Sequence, residues 1–266
     1  MAQIKVNDIS MYYEIYGQGE PIVFVGGFTA DHLVWSAIIG YLQDRYQLIL
    51  LDNRGAGQTD VPDGPYSMEQ MADDVAALCS ALGISKAHFV GSSMGGFILQ
   101  SLAIRHRELV KSATISNSVV TMQTPFKCYV EAQYEMRKAK VPDRALYRAA
   151  CSWCFSFQFI SQPGMLELLI EMGLRNPYPF TDKGYEGQCA ALLQFDSQSW
   201  ANQIDVPVLV FGADQDLIFR EPSIKQLAHL IPDARYYCFT ECGHLPQIEY
   251  PEKFAQLVDE FITSLI

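Results

Sequence analysis

Residues 89–100 read Phe89-Val90-Gly91-Ser92-Ser93-Met94-Gly95-Gly96-Phe97-Ile98-Leu99-Gln100. An apolar pair runs into G-x-S-x-G, and a helix-like stretch leaves it. This pentapeptide puts a serine on a tight strand-to-helix turn, where crowded backbones admit only small neighbours. The register selects Ser93. With Ser92 at the centre, positions 90 and 94 would have to be glycine, and they are Val90 and Met94. The bare motif is also an ordinary glycine turn. The strand before it and the helix after it make Ser93 a candidate nucleophile.

Outward from this elbow the chain alternates. Residues 3–16 read as a short antiparallel pair with Asn7-Asp8 at its turn. Continuous apolar runs follow at 21–25, 48–51, 87–90 and 206–211, and a further strand-like run at 236–239. Runs bounded by turn residues suit parallel strands buried on both faces. Residues 67–82 place Met68, Met71, Val75, Leu78 and Leu82 on one helical stripe, and residues 94–106 and 251–265 are similar. Strands alternating with helices predict an α/β fold with a parallel sheet. The alternation breaks over 119–200, which is helical in tendency, aromatic and too long for a loop. The expected organisation is therefore a core of residues 1–118 and 201–266 and a helical lid at 119–200.

Composition bounds the function. Among 266 residues, 19 Lys and Arg face 30 Asp and Glu, for a formal net charge of −11. Such a chain repels phosphate backbones and anionic lipid, which argues against nucleic acid as a partner. No run of about 18 apolar residues predicts membrane insertion. The start of the chain lacks the apolar stretch of a secretory signal, and seven cysteines do not imply a disulfide framework. A cytoplasmic protein with reduced thiols is the expectation.

A nucleophilic serine needs a base, and the base needs an orienting acid. Of five histidines, His244 stands out, in Cys242-Gly243-His244-Leu245-Pro246 after the strand-like run at 236–239. Open α/β sheets put their sites on loops at the strands' C-terminal ends. The acid candidates, Asp214 and Asp216, follow the run at 206–211. The order Ser, Asp, His is the one found in α/β-hydrolases.

Taken together, the chain resembles the α/β-hydrolase superfamily over nearly its whole length. Phe24-Val25-Gly26-Gly27-Phe28 resembles the oxyanion turn, Asp52-Asn53-Arg54-Gly55-Ala56-Gly57-Gln58-Thr59 the D-x-R-G-x-G-x-S loop, and His244 with Glu249-Tyr250-Pro251 the G-H-x-x-x-x-E-x-P segment. Residues 152–163 resemble the lid of enol-lactonase-like and esterase-like members. The resemblance implies a mostly parallel eight-stranded sheet flanked by helices, with a helical lid insertion. It also implies backbone oxyanion donors at Phe28 and Met94, and a triad of Ser93, His244 and Asp216, the acid chosen by its interval to Arg220. Two departures stand out. The usual histidine of the oxyanion turn is Gly26, and the acid loop carries one extra residue.

The activity implied is hydrolysis of a carboxylic ester or lactone, a small to medium and largely apolar molecule, with no metal and no organic cofactor. The readings beside it are C–C bond hydrolysis of a dienoic diketone and a slow-turnover ligand-sensing role. A monomer or homodimer is expected. Trp35, Phe97, Trp153 and Phe155 are candidate pocket residues, Arg54 is a substrate anchor or a structural tie, and Cys151-x-x-Cys154 is expected to be a pair of buried free thiols rather than a zinc or redox site.

Overall fold

An apolar run can be buried on both faces only in the middle of a sheet, and there the chain puts its runs. The computed structural model describes residues 2–265, so Met1 and Ile266, the outer ends of the expected core, lie outside the described residues. Strands β1 (Ala2–Val6), β2 (Ile9–Tyr16), β3 (Glu20–Val25), β4 (Tyr46–Leu51), β5 (Ala87–Ser92), β6 (Val110–Ser116), β7 (Val208–Ala213) and β8 (Ala234–Phe239) form one sheet. Their order is β1-β2-β4-β3-β5-β6-β7-β8. β1 pairs with β2, and β2 with β4, antiparallel; every other pairing is parallel. The β1–β2 turn is Asn7-Asp8, with Asn7 at φ 49°, as a two-residue hairpin loop demands.

Helix α1 (Ser36–Leu42) follows β3, α2 (Met68–Ala81) follows β4, and α3 (Met94–Arg105) follows β5. Between β6 and β7 lie α4 (Thr124–Lys138), α5 (Asp143–Cys154), α6 (Phe157–Ile160), α7 (Met165–Leu174) and α8 (Asp182–Gln194). α9 (Glu221–Leu230) follows β7, and α10 (Pro246–Glu249) and α11 (Pro251–Thr263) follow β8. Alternate strand residues serve two cores. Val23, Val25, Ile49 and Leu51 pack with α2, α3 and α9, while Ile22, Phe24, Leu48 and Leu50 pack with α1 and α11. Each such side chain contributes roughly 1.5–3 kcal/mol by leaving water.

β6 escapes a reading by hydropathy because its sequence, Val110-Lys111-Ser112-Ala113-Thr114-Ile115-Ser116, is half polar. Burial is possible for its serines because their hydroxyls are paired. Ser112 Oγ lies 2.7 Å from His88 Nδ1, and Ser116 Oγ donates to Asn117 Oδ1 at 3.0 Å.

The loop after β4 braces the C-terminal edge of the sheet. Asp52 accepts hydrogen bonds from His32 N at 2.7 Å and Gln58 N at 2.8 Å. Arg54 is a structural tie, turned away from the cavity described below. Its guanidinium is buried and forks onto Asp74 at 2.8 and 3.0 Å and onto Asp8 at 2.6 and 3.1 Å. Asp74 is fully buried, whereas the Asp8 side chain is 61% exposed. Removing one partner of a buried pair strands a charge, and a wet partner is worth little. Asp74→Ala is therefore expected to cost about 3–5 kcal/mol in denaturant unfolding, and Asp8→Ala about 1 kcal/mol or less. Equal losses would mean that the guanidinium is not held mainly from its buried side.

Candidate active site

The elbow owes its shape to two close approaches. A Cβ on Gly91 would sit 2.6 Å from Gly95 O, and one on Gly95 would sit 2.1 Å from Val25 O. Only glycine lets β5 turn straight into α3 while α3 lies on the end of β3. Ser93 itself takes φ 55°, ψ −116°, a rare conformation for a residue with a side chain. Its N–H donates to Ser116 O at 2.8 Å, and its carbonyl accepts from Gly96 N at 2.9 Å. The strained residue is thus bonded on both sides.

His244 reaches the site from the loop after β8. Its Nδ1 lies 2.8 Å from Asp216 Oδ2. Asp216 comes from the loop after β7 and is held from three further directions. Oδ1 accepts from Ile218 N at 2.8 Å and Phe219 N at 2.9 Å, and Oδ2 accepts from Asn117 Nδ2 at 2.8 Å. An ionised carboxylate accepts such bonds and orients the imidazole facing it. Asp214 points elsewhere, accepting from Cys242 N at 3.2 Å. The edge of the Phe219 ring packs on the imidazole, with centroids 5.6 Å apart.

The loop bearing His244 is also tied to the segment after α5. His244 N donates to Cys154 O at 2.7 Å. Half-buried Glu249 gathers Gly243 N at 3.0 Å, Ser156 N at 3.0 Å and Ser156 Oγ at 2.5 Å. Burial pushes the Glu249 carboxyl above its ordinary range.

The turn after β3 lies against the elbow. A Cβ on Gly27 would sit 3.2 Å from Ser93 Cβ. Asn53 Nδ2 donates to Gly26 O at 2.9 Å from within the core. Thr29 N donates to Gln188 Oε1 at 2.8 Å and Ala30 N to Gly27 O at 3.3 Å, while Phe28 N–H meets no acceptor among the described residues. The N–H of Met94, first residue of α3, has no intrahelical acceptor either.

A cavity of about 230 Å³ opens at this point, with Ser93, His244, Gly27 and Phe28 on its wall. The rest of the wall is mostly apolar, and much of it comes from α4, α5 and α8, with Phe126, Tyr129, Leu146 and Tyr185 prominent. Here the aromatic candidates from the sequence need correction. Trp35 lies on the far side of the sheet, packed on Phe24 and Phe254 at 5.3 and 6.2 Å. Phe97 faces inward from α3, stacked on Phe195 at 4.8 Å. Trp153 backs Tyr129 at 4.7 Å, and Phe155 stacks on Phe159 at 5.4 Å. None of the four lines the cavity. Aromatic character marks burial, but not which face of a helix is buried.

Sequence reasoning missed Tyr129, Tyr185 and Gln247. Gln247, fully buried, donates from Nε2 to Ser92 Oγ at 3.3 Å beside the elbow. Its signal was its place three residues after His244. Burial pushes the Cys151 thiol up to about 11 and that of Cys154 to about 12, so both stay protonated at neutral pH. No group of three His, Cys, Asp or Glu gathers as a metal site among the described residues.

The eight-stranded order, the elbow and the loops after β7 and β8 define an α/β-hydrolase fold. The chain belongs to that family, whose model, described as the alpha/beta hydrolase fold, matches residues 20–251. It is 28% identical over 259 residues to 3-oxoadipate enol-lactonase 2 of Acinetobacter baylyi, covering 96% of this chain and 94% of that one. An enol-lactonase structure from Burkholderia xenovorans superposes with a TM-score of 0.89 at 26% identity, covering 98% and 100% of the two chains. A thermophilic esterase from Thermogutta terrifontis gives 0.87 at 25% identity, covering 100% and 99%. These likenesses support a hydrolase acting on a small molecule. No described helix is long and apolar enough to cross a membrane.

Asp216 and Asp214 can be separated by substitution. Asp216→Asn replaces an acceptor of His244 Nδ1 by a donor or a mis-set carbonyl. It is expected to lower kcat by about 10⁴-fold on any ester the site turns over. Asp214→Asn should leave kcat within about threefold, as for a substitution remote from the chemistry. Steady-state kinetics of the two variants decide this, and the reverse ranking would move the acid to position 214.

Proposed function

We propose that the protein is a serine hydrolase of carboxylic esters or lactones of small to medium, largely apolar substrates. The observation that carries the reading is the convergence of Ser93, the Asp216-bonded His244 and the free Phe28 N–H on one apolar cavity, with the Met94 N–H next to Ser93 at the head of α3. His244 Nε2 takes the Ser93 proton as Oγ bonds to the substrate carbonyl carbon. The carbonyl oxygen becomes an oxyanion facing the N–H groups of Phe28 and Met94. His244 returns the proton to the departing alkoxide as the C–O bond breaks, leaving an acyl-enzyme. Water then attacks with His244 as base, and Ser93 leaves with the proton. Each oxyanion donor in such a site is worth about 10²- to 10³-fold in rate. For a lactone the alcohol remains attached to the acyl group, so one product leaves.

The helices of residues 119–200 serve as the lid in this reading, roofing the cavity and supplying its apolar wall. The apolar wall favours ester cleavage over cleavage of a dienoic diketone, whose carboxylate needs a cation. The one Lys or Arg on the lining among the described residues is Arg137. Its guanidinium is committed to Asp182 at 2.8 Å and lies 4.4 Å from the Phe180 ring centroid.

The test is hydrolysis of p-nitrophenyl esters from acetate to dodecanoate beside Ser93→Ala. Each buried methylene adds about 0.8 kcal/mol, roughly fourfold. kcat/KM should therefore rise from acetate through butyrate and then fall once the acyl chain outgrows the cavity. Ser93→Ala should lose at least about 10³-fold. Equal rates for wild type and variant on every ester would exclude the esterase reading.

A further inference from the structure

The turn after β3 opens with Gly26 and Gly27, which bring it no side chain of their own to hold it. Something else must hold the turn, because a hydrogen-bond donor works on a developing oxyanion only if it is fixed beforehand. The turn is short and strained: Thr29 takes φ 60°, an unusual value for a β-branched residue. Of its N–H groups, that of Thr29 is bonded by a side chain from α8, over 150 residues away in sequence.

That side chain is Gln188, which is fully buried. Its carboxamide bridges two loops. Oε1 accepts from Thr29 N at 2.8 Å, and Nε2 donates to Arg54 O at 2.9 Å. Arg54 is itself anchored by its buried fork to Asp74, so the far end of the bridge is rigid. Neither end of the carboxamide is free to flip, since each faces a partner of fixed polarity.

The helix carrying Gln188 is seated closely enough to make the bridge stiff. A Cβ on Gly184 would sit 2.1 Å from Gly55 O, and one on Gly187 would sit 2.3 Å from the Tyr66 ring. One turn before Gln188, Tyr185 packs edge-on against Phe28 with centroids 4.7 Å apart. Phe28 is therefore gripped twice from α8. Tyr185 holds its ring, and Gln188 holds the peptide that follows it.

We propose that Gln188 is a positioning residue for the oxyanion hole. It fixes the Phe28–Thr29 peptides so that Phe28 N–H points at the developing charge on the substrate carbonyl. The inference rests on the serine-hydrolase reading above. Gln188 does not touch the reacting atoms in this account. It acts through the backbone, and so its loss should weaken transition-state binding and spare ground-state binding.

The experiment compares wild type, Ser93→Ala, Gln188→Met and Gln188→Asn on p-nitrophenyl butyrate, with folding checked by thermal unfolding. Met keeps the volume and removes the acceptor; Asn keeps the amide and withdraws it by one methylene. Each Gln188 variant is expected to lose about 10- to 100-fold in kcat, less than the loss of a whole oxyanion donor, with KM within twofold. A butylboronic acid, which forms a tetrahedral adduct on the serine, should lose affinity by the same factor as kcat/KM. Butyrate, a ground-state ligand, should bind as before. An unchanged kcat in a folded variant overturns the proposal, as does a loss of kcat with boronate affinity unchanged. If both variants unfold, protection of the Thr29 amide from hydrogen exchange in the wild type decides the matter. An amide that exchanges as fast as an open loop is not held by Gln188, and a protected one that gains no further protection on boronate binding supports a pre-set turn. A wild type no faster than Ser93→Ala removes the hydrolase reading itself, an outcome distinct from all of these.

Discussion

The contact on which the site depends is between two backbones. Gly95, on the first turn of α3, lies so close to the carbonyl of Val25 that a single methyl group would overlap it. This contact joins the elbow after β5 to the turn after β3, its neighbour in the sheet. It brings a side-chain hydroxyl, Ser93, beside two backbone N–H groups from different loops. Parallel neighbours end at the same edge, so the loops after β3, β5, β7 and β8 all open on one side. The chemistry can therefore come from residues far apart in sequence, set on a rigid base.

Much of this was legible because the constraint is a matter of residue type. A turn that crowded tolerates only glycine, and glycine is visible in a sequence. The buried parallel strands were legible for a similar reason, since a run such as Ile22-Val23-Phe24-Val25 has apolar side chains on both faces. β6 was not, because its serines are satisfied by partners such as His88 that only the folded sheet supplies. Hydropathy describes a side chain alone, whereas burial depends on whether its polar atoms are paired.

The candidate acid and the pocket mark the same boundary. Asp214 and Asp216 sit on one loop, and composition cannot rank them. The difference is made by Asn117 and by the N–H groups of Ile218 and Phe219, which converge on position 216. The pocket aromatics failed for a geometric reason. Trp35 sits in a short 3₁₀ turn of residues 32–35, directly after the turn that carries Phe28, yet the chain has already passed to the other face of the sheet. Trp153 lies one layer behind the wall it was expected to form, with Tyr129 in front of it. Distance along the chain from a functional turn says little about which side of a sheet a ring will occupy.

The helices between β6 and β7 divide into two packing environments. Phe126 and Val130 of α4 and Tyr185, Ala191 and Leu192 of α8 belong to the same apolar cluster as β3, β5 and α3. Cys151, Phe155 and Ile170, from α5 through α7, form a small separate cluster that packs on Leu245 and Ile248. Local stability follows buried apolar contact and is not uniform across a chain. α8 is thus continuous with the sheet in energetic terms, although in sequence it is the last of the helices between β6 and β7. Its two glycines and its buried glutamine lie on the loop after β4, where a moving cover would need slack. The segment as a whole does two jobs with different physical demands. Its outer helices hold together through a modest apolar cluster, and its last helix is packed tightly against the loop after β4 and the turn after β3.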